Sequence, residues 1–472
     1  GVCVNKRKGN VKNSISVHIF LGDSLVTNDT GVEHHPQNIP DEIGYDRIRD
    51  AFRSKSEIAY QGAVQRLDNK RTHLKQNPKP ADNAVVPEFK RMPPAVWIGP
   101  SALTIPCPVT DMEQLSNRLS KVFSDYPELF NHCVKVYQKR VDYYRLTSEG
   151  QKILQPDTVF HITARASIKT DGNEVKTEYY RLHVGGINDL PSEDALIGEL
   201  HRFAEYMQQK NRAKAVEDLY IGPVLYEDDA AMELLAEKIA DYSHSYWISI
   251  RNQSDRKHRY LGKQVFPPAL SVCQLGNDSV YNGVKLLGYR QVDADGTKPK
   301  TLPIIEKGIL KHMLTGRTPS LGCPASTGNE HFDGLSRTLE TRYTAGVFRV
   351  TSNRPVPYSK LYKRFLKAAK KAGLEHTYII RKNRTSPYAL IRVDLSTGKE
   401  ELVEGNYNSP SREQFKRMHA ISKEENVYNL DPAGGKGLGI ISPKAILLED
   451  MELDITPSRA RHIDEAFYEL RH

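Results

Sequence analysis

Cysteine is scarce in this chain of 472 residues: there are five (Cys3, Cys107, Cys133, Cys273, Cys323), odd in number and widely scattered. That excludes a disulfide-built scaffold, and no pair has the close spacing of a zinc knuckle. Long apolar runs are missing too, since none approaches the roughly 20 residues that a membrane-spanning helix needs. Charge is not one-sided. Lys and Arg number 67 against 58 Asp and Glu, a formal +9, so even a pI near 9.0 is a weak reason to expect a nucleic-acid partner. Standard catalytic signatures are absent: no HExxH, no GxSxG, no Walker loop and no GxGxxG after a strand. The glycine-rich stretch 434–439 carries Lys436, but Gly437 stands where a Walker loop needs Ser or Thr, and the stretch reads as a turn.

What remains is ordinary globular material. Hydrophobic residues make up 39%, charged residues 26%, and mean hydropathy is −0.56, ample for buried cores in a chain this long. Length alone suggests two to four domains. Ile15, Val17 and Ile19 alternate as an early strand, followed by a polar loop over 23–40. A solvated helix is expected over 46–75, with Ile48, Phe52, Ala59, Ala63 and Leu67 on its inner face. Proline-rich residues 76–106 read as an extended connector. Thr110-Asp111-Met112-Glu113 reads as a capping box opening the next helix.

Strands are expected at 134–146, 151–154, 158–169 and 175–184, around the turns Ser148-Glu149-Gly150 and Asp171-Gly172-Asn173. Helices follow over 193–209 and after Asp228-Asp229, the latter burying Ala231, Leu234, Leu235, Ile239 and Tyr242. Beyond Trp247 short strands dominate, interrupted by one helix over 359–372 with Leu361, Phe365, Leu366 and Ala369 inward. The expected organisation is 1–107 (strand, charged helix, connector), 108–250 (an α/β domain) and 251–472 (a β-rich, mainly antiparallel domain). The fold class is α+β, a mixed α/β half followed by a β-rich half.

Isolated histidines among 16 carry little information. Glu33-His34-His35 lies in the expected loop with no third ligand, and His312 reads as a strand-face residue. The outer face of the 359–372 helix (Lys360, Lys363, Arg364, Lys367, Lys370, Lys371) is the best polyanion candidate. It lacks interleaved aromatics for base stacking, which favours a solvated face.

Residues 261–329 read LGKQVFPPALSV, then GYRQVDADG, LPIIEKGILKHMLTGRTPS and STGN. These ordered blocks resemble the TldD/PmbA family of peptidase-related proteins, as do Leu146-Thr147-Ser148-Glu149-Gly150 and the segment 442–450. The resemblance implies a two-half α+β fold assembled as a homodimer, or as a heterodimer with a member carrying HExxxH, around a cavity for flexible or unfolded peptides. In active members a helical HExxxH and a late cysteine hold zinc, and the glutamate serves the metal-bound water as general base. Carried onto this chain, the first histidine falls on Ala236, the glutamate on Glu237 and the second histidine on Asp241. The late cysteine falls roughly at 431–435, where there is none.

The zinc site is thus expected to be degenerate, Ala236 and Asp241 being its altered metal positions. No metal or other cofactor is expected on this chain, and Glu237 keeps only the general-base position. The resemblance implies a noncatalytic partner or peptide-binding relative acting in proteolysis or peptide processing. The alternatives are an active metallopeptidase with substitute ligands, such as Asp241 and a histidine from elsewhere, and a polyanion-binding protein. The opening at Gly1 and a leading segment similar to a branch found beside exported bacterial proteins favour a periplasmic over a cytoplasmic location.

Overall fold

The computed structural model describes residues 13–27, 32–39, 44–78, 87–88, 90–104, 108–169, 175–243, 257–317, 319, 322–330, 346–386, 388–431 and 437–455. The early alternation forms β1 (Asn13–His18), paired antiparallel with β2 (Val32–Ile39). Glu33, His34 and His35 therefore lie in a strand and not in a polar loop. A two-stranded ribbon has open edges, on which Pro36 need not break a ladder. Helix α1 runs Tyr45–Gln76. It buries Ala59, Ala63 and Leu67 as their spacing predicts, while Ile48 and Phe52 stay exposed.

Within the expected connector, β3 (Val96–Ile98) joins a sheet. Helix α2 (Val109–Ser120) buries Met112, Leu115 and Leu119. No capping box opens it: Thr110 sits inside its first turn, and Pro108 precedes it without a side-chain cap.

The long strands β4 (Leu129–Leu146) and β5 (Lys152–Lys169) run antiparallel, joined by a turn in which Gly150 takes φ +92°. Here the two expected strands 151–154 and 158–169 are one, passing through Pro156. On its side away from β4, β5 pairs β3 only up to Leu154 and β6 (Val175–Val184) only from Phe160. Residues 155–159 have no ladder on that side for a proline to interrupt. The expected turn 171–173 lies outside the described residues.

Helix α3 (Glu193–Arg212), capped by Ser192, packs with α2 on one face of this sheet. Its Leu196, Leu200, Phe203 and Met207 share a core with Phe160, Ile162, Ala164 and Leu182. Even-numbered positions of β5 thus face the helices, and strand alternation turns the odd ones the other way.

β7 (Lys214–Ala215), β8 (Asp218–Asp228) and α4 (Asp229–Ser243) follow. A six-stranded sheet has the order Ile309–Leu310, Leu302–Glu306, Leu270–Gln274, Val347–Ser352, Leu438–Pro443, Glu425–Leu430. A seven-stranded sheet has the order Met418–Ile421, Ala445–Ile455, β8, His376–Lys382, Ala389–Asp394, Glu400–Glu404, β7. Pairings within them are mainly antiparallel.

The apolar face of α4 (Ala231, Leu234, Leu235, Ile239, Tyr242) is buried in a core that takes Val224 and Tyr378 from one sheet and Val272 and Ile440 from the other. Helix α5 (Tyr358–Lys371) covers the remaining face of the seven-stranded sheet. Its Leu361, Phe365 and Ala369 are buried, Leu366 packs beside them, and its lysines stay wet. The seven-stranded sheet takes two strands from before residue 250 and five from after it, so packing joins both sides of the expected boundary. The fold is α+β, a mixed N-terminal half and a β-rich C-terminal half.

Candidate functional site

β8 passes directly into α4, and the junction residue Asp228 takes φ +54°. Charged groups crowd this point. Glu227 accepts from Arg381 Nε (2.6 Å) and from the Tyr358 hydroxyl, and Asp229 accepts the Arg384 backbone N–H at 2.6 Å. Burial pushes the Asp229 carboxyl up to about 6, against the opposing pull of that N–H. A turn further on, Glu233 pairs with Lys382 (2.5 Å).

Ala236, at the first metal position, is packed against the main core and has no donor atom. Glu237 is half exposed and already engaged: one oxygen contacts Lys238 (2.7 Å), and the other accepts from Ser409 (3.1 Å). Asp241 lies in α4, its side chain outside the described atoms. Of the region 431–435, Asp431 is described and 432–436 are not. Among the described residues no group of three His, Cys, Asp or Glu is arranged to hold a metal ion. The side chains present on α4 do not fit the zinc site that the resemblance implies.

Asp431 follows strand Glu425–Leu430 and reaches the odd-numbered face of the N-terminal sheet. Its carboxylate lies 3.2 Å from His161 Nε2 and 3.4 Å from Lys139 Nζ, and its backbone N–H donates to His183 Nδ1 at 3.0 Å. Burial alone would raise the Asp431 carboxyl, but His161 and Lys139 outweigh it and hold it low. His161 and His183 are directly opposite across β5 and β6, and Tyr137 of β4 stacks on the His161 ring at 4.4 Å. His161 is buried, and its Nδ1 has no hydrogen-bond partner. Burial first, then the neighbouring His161, lower His183 to about 4.

This cluster does not come from reading single histidines. Its signal is register: each histidine lies eleven residues from Gly172, the centre of the turn that the sequence predicts. His312 Nδ1 donates to the Pro303 carbonyl (2.7 Å) just beyond a short strand.

The resemblance-bearing blocks converge elsewhere, at the junction of the two halves. Glu149 of the β4–β5 turn pairs with Arg317 (2.5 Å), whose backbone N–H donates to Asp295 (3.2 Å). Asp295 also takes Arg145 of β4 at 3.1 Å. Asp293 accepts the N–H groups of Asp295, Thr297 and Glu330, each at 2.9 Å, which ties the DADG block to the chain just after TGN. Asn329 donates to Gln274 at 2.7 Å.

Asp293, Asn329, Glu330 and Gln274 line a solvent-open cleft with Gly276, Gly288, Gly346 and Gly437. A Cβ on Gly288 would sit 1.5 Å from the Gly346 carbonyl oxygen, so only glycine permits that approach. Carboxylates consumed by backbone N–H groups and buried arginines make a clamp between the halves.

Residues 221–355 match the PmbA/TldA metallopeptidase C-terminal domain. No curated protein matches the chain. Among solved structures, a candidate modulator of a DNA gyrase from Thermotoga maritima superposes with a TM-score of 0.53 at 14% identity, over 78% of each chain. TldE from Thermococcus kodakarensis gives 0.53 at 12% identity, over 85% of this chain and 84% of its own. A candidate modulator of DNA gyrase from Bacteroides thetaiotaomicron gives 0.53 at 13%, over 90% and 87%. Residues 221–355 thus carry a domain of the PmbA/TldA metallopeptidase family, which holds the DADG and TGN segments, and the solved structures share the fold over most of the chain.

Proposed function

We propose that this chain binds flexible or unfolded peptides without cleaving them, and that it pairs either with a second copy or with a relative carrying an intact HExxxH. The observation carrying this reading is α4: Ala236 offers no donor, and Glu237, in the general-base position, is held by Lys238 and Ser409. Zinc sites need three or four converging nitrogen, sulfur or oxygen donors, and a base without a polarised water has no proton to take.

An active enzyme with substitute ligands would draw on Asp431, His161 and His183. Among the described residues they are not arranged to hold a metal ion: the carboxylate lies against His161 and Lys139, and the His183 Nδ1 takes a backbone N–H. Elemental analysis of protein purified without chelators, together with peptide-cleavage assays in added zinc, tests the reading. Substoichiometric zinc and no cleavage are expected. About one tightly held zinc per chain with metal-dependent cleavage would sink it.

A further inference from the structure

The odd-numbered face of the N-terminal sheet is the one not covered by α2 and α3. Register sets its residues in rows across β4, β5 and β6: Tyr137, His161 and His183; then Lys135, Thr163 and Arg181; then Cys133, Arg165 and Tyr179. Lys139 stands one row further along β4. Over these rows the face carries Lys135, Lys139, Arg165 and Arg181 and no carboxylate; Asp157, further along β5 on the same face, is paired with Arg290 at 3.0 Å. Asp431, arriving from the other half, contacts Lys139 alone of the four. Among the described residues, Lys135, Arg165 and Arg181 have no ion-pair partner, and the Nε of Arg165 is a buried donor without an acceptor. Lys135 and Arg181 are exposed, and Tyr137 is 46% exposed.

We propose that this sheet face is an anion-selective docking surface for an extended acidic peptide, whose carboxylates meet Lys135, Arg165 and Arg181. The inference rests on the peptide-binding reading above and names the class of peptide. Alternate side chains of an extended chain repeat about every 7 Å, the spacing of alternate residues along a strand, so successive acidic residues can meet successive rows. Guanidinium groups take carboxylates in paired hydrogen bonds, which suits the exposed Arg181, whereas Arg165 already gives Nη2 to Asn131 Oδ1 at 2.6 Å and adds its charge to the row. Stacked bases fit less well. Tyr137 already spends a ring face on His161, and Tyr179 spends one on Arg181 at 5.1 Å.

Fluorescence anisotropy at low salt tests this with short labelled peptides of matched length, Glu/Gly-rich, Ser/Gly-rich and Lys/Gly-rich, and with a thymidine oligonucleotide. The Glu-rich peptide should bind about tenfold tighter than the Ser-rich one, as one or two exposed ion pairs allow. Lys135→Ala with Arg181→Ala removes exposed charges, so the melting temperature should hold. That double change should abolish the preference while leaving the Ser-rich peptide unaffected. Equal affinity for Glu-rich and Ser-rich peptides overturns the anion preference and leaves the peptide reading standing. Failure of every peptide overturns both, and an oligonucleotide binding tighter than the Glu-rich peptide overturns the acidic peptide as occupant.

Discussion

His183 is surrounded by groups that oppose its protonation: His161 from β5, Arg181 on its own strand and Lys139 from β4, with Asp431 the one group favouring it. Burial acts in the same direction as the cations, and the ring titrates at about 4. An unfolded histidine titrates near 6.5, so between those values the unfolded chain takes up a proton that the folded chain refuses. Stability from this group is complete above about 6.5 and is lost as pH falls toward 4. Asp229, raised to about 6 by burial, works in the opposite sense: its folded form holds a proton through the window above the usual carboxylate range. The comparison must therefore be between wild type and His183→Asn, whose Oδ1 stands where Nδ1 accepts the Asp431 N–H but which cannot titrate. Melting temperatures between pH 6.5 and 4 should fall more steeply for wild type. Parallel curves would show that His183 is not the source.

At the scale of the element, α5 separates burial from charge along one helix. Leu361 and Phe365 are fully buried, whereas Lys367 is exposed. Leu361→Ala should cost about 2–5 kcal/mol through lost burial and a cavity. Lys367→Ala should stay within about 0.5 kcal/mol, as surface changes usually do. Urea denaturation measures both, and a Leu361→Ala cost as small as that of Lys367→Ala would contradict the packing. The inner faces of α4 and α5 were legible because residues three and four apart must share a side of a helix. Elements defined by a partner strand were not. Val32–Ile39 is polar and contains Pro36, and only its pairing with β1 makes it a strand. Pro156 reads as a break until β4 is seen to hold that stretch from one side. Thr110–Glu113 has the letters of a capping box, but the helix starts at Val109, two residues before the start that such a box sets.

At the scale of the whole molecule, the segments that carry the family resemblance and the positions of the family's zinc motif lie in different places. DADG, TGN and Glu149 are legible because they build a buried clamp, in which each carboxylate satisfies backbone N–H groups or a buried arginine. The α4 positions were legible only by comparison with the family's motif. The His161–His183–Asp431 contact needed the assembled sheet. This division shapes the last prediction, that Ala236→His with Asp241→His will not by themselves restore peptide hydrolysis. The double change writes HExxxH onto α4 with Glu237 already in place. Two imidazoles still leave zinc short of the third protein ligand that catalytic sites use. Glu237 is also tied to Ser409 and Lys238, so it is not free to meet a metal-bound water. Partners that would fix each imidazole's tautomer are not built around Ala236, which packs against apolar core. The assay compares this double mutant with a triple mutant adding a cysteine within 431–435, on unstructured peptides with added zinc. Loose zinc binding by the double mutant agrees with the argument, because two histidines on a helix can hold metal weakly. Metal-dependent cleavage by the double mutant alone would mean that the rest of a catalytic site is intact, and the chain would then be a recently silenced protease and not a committed partner.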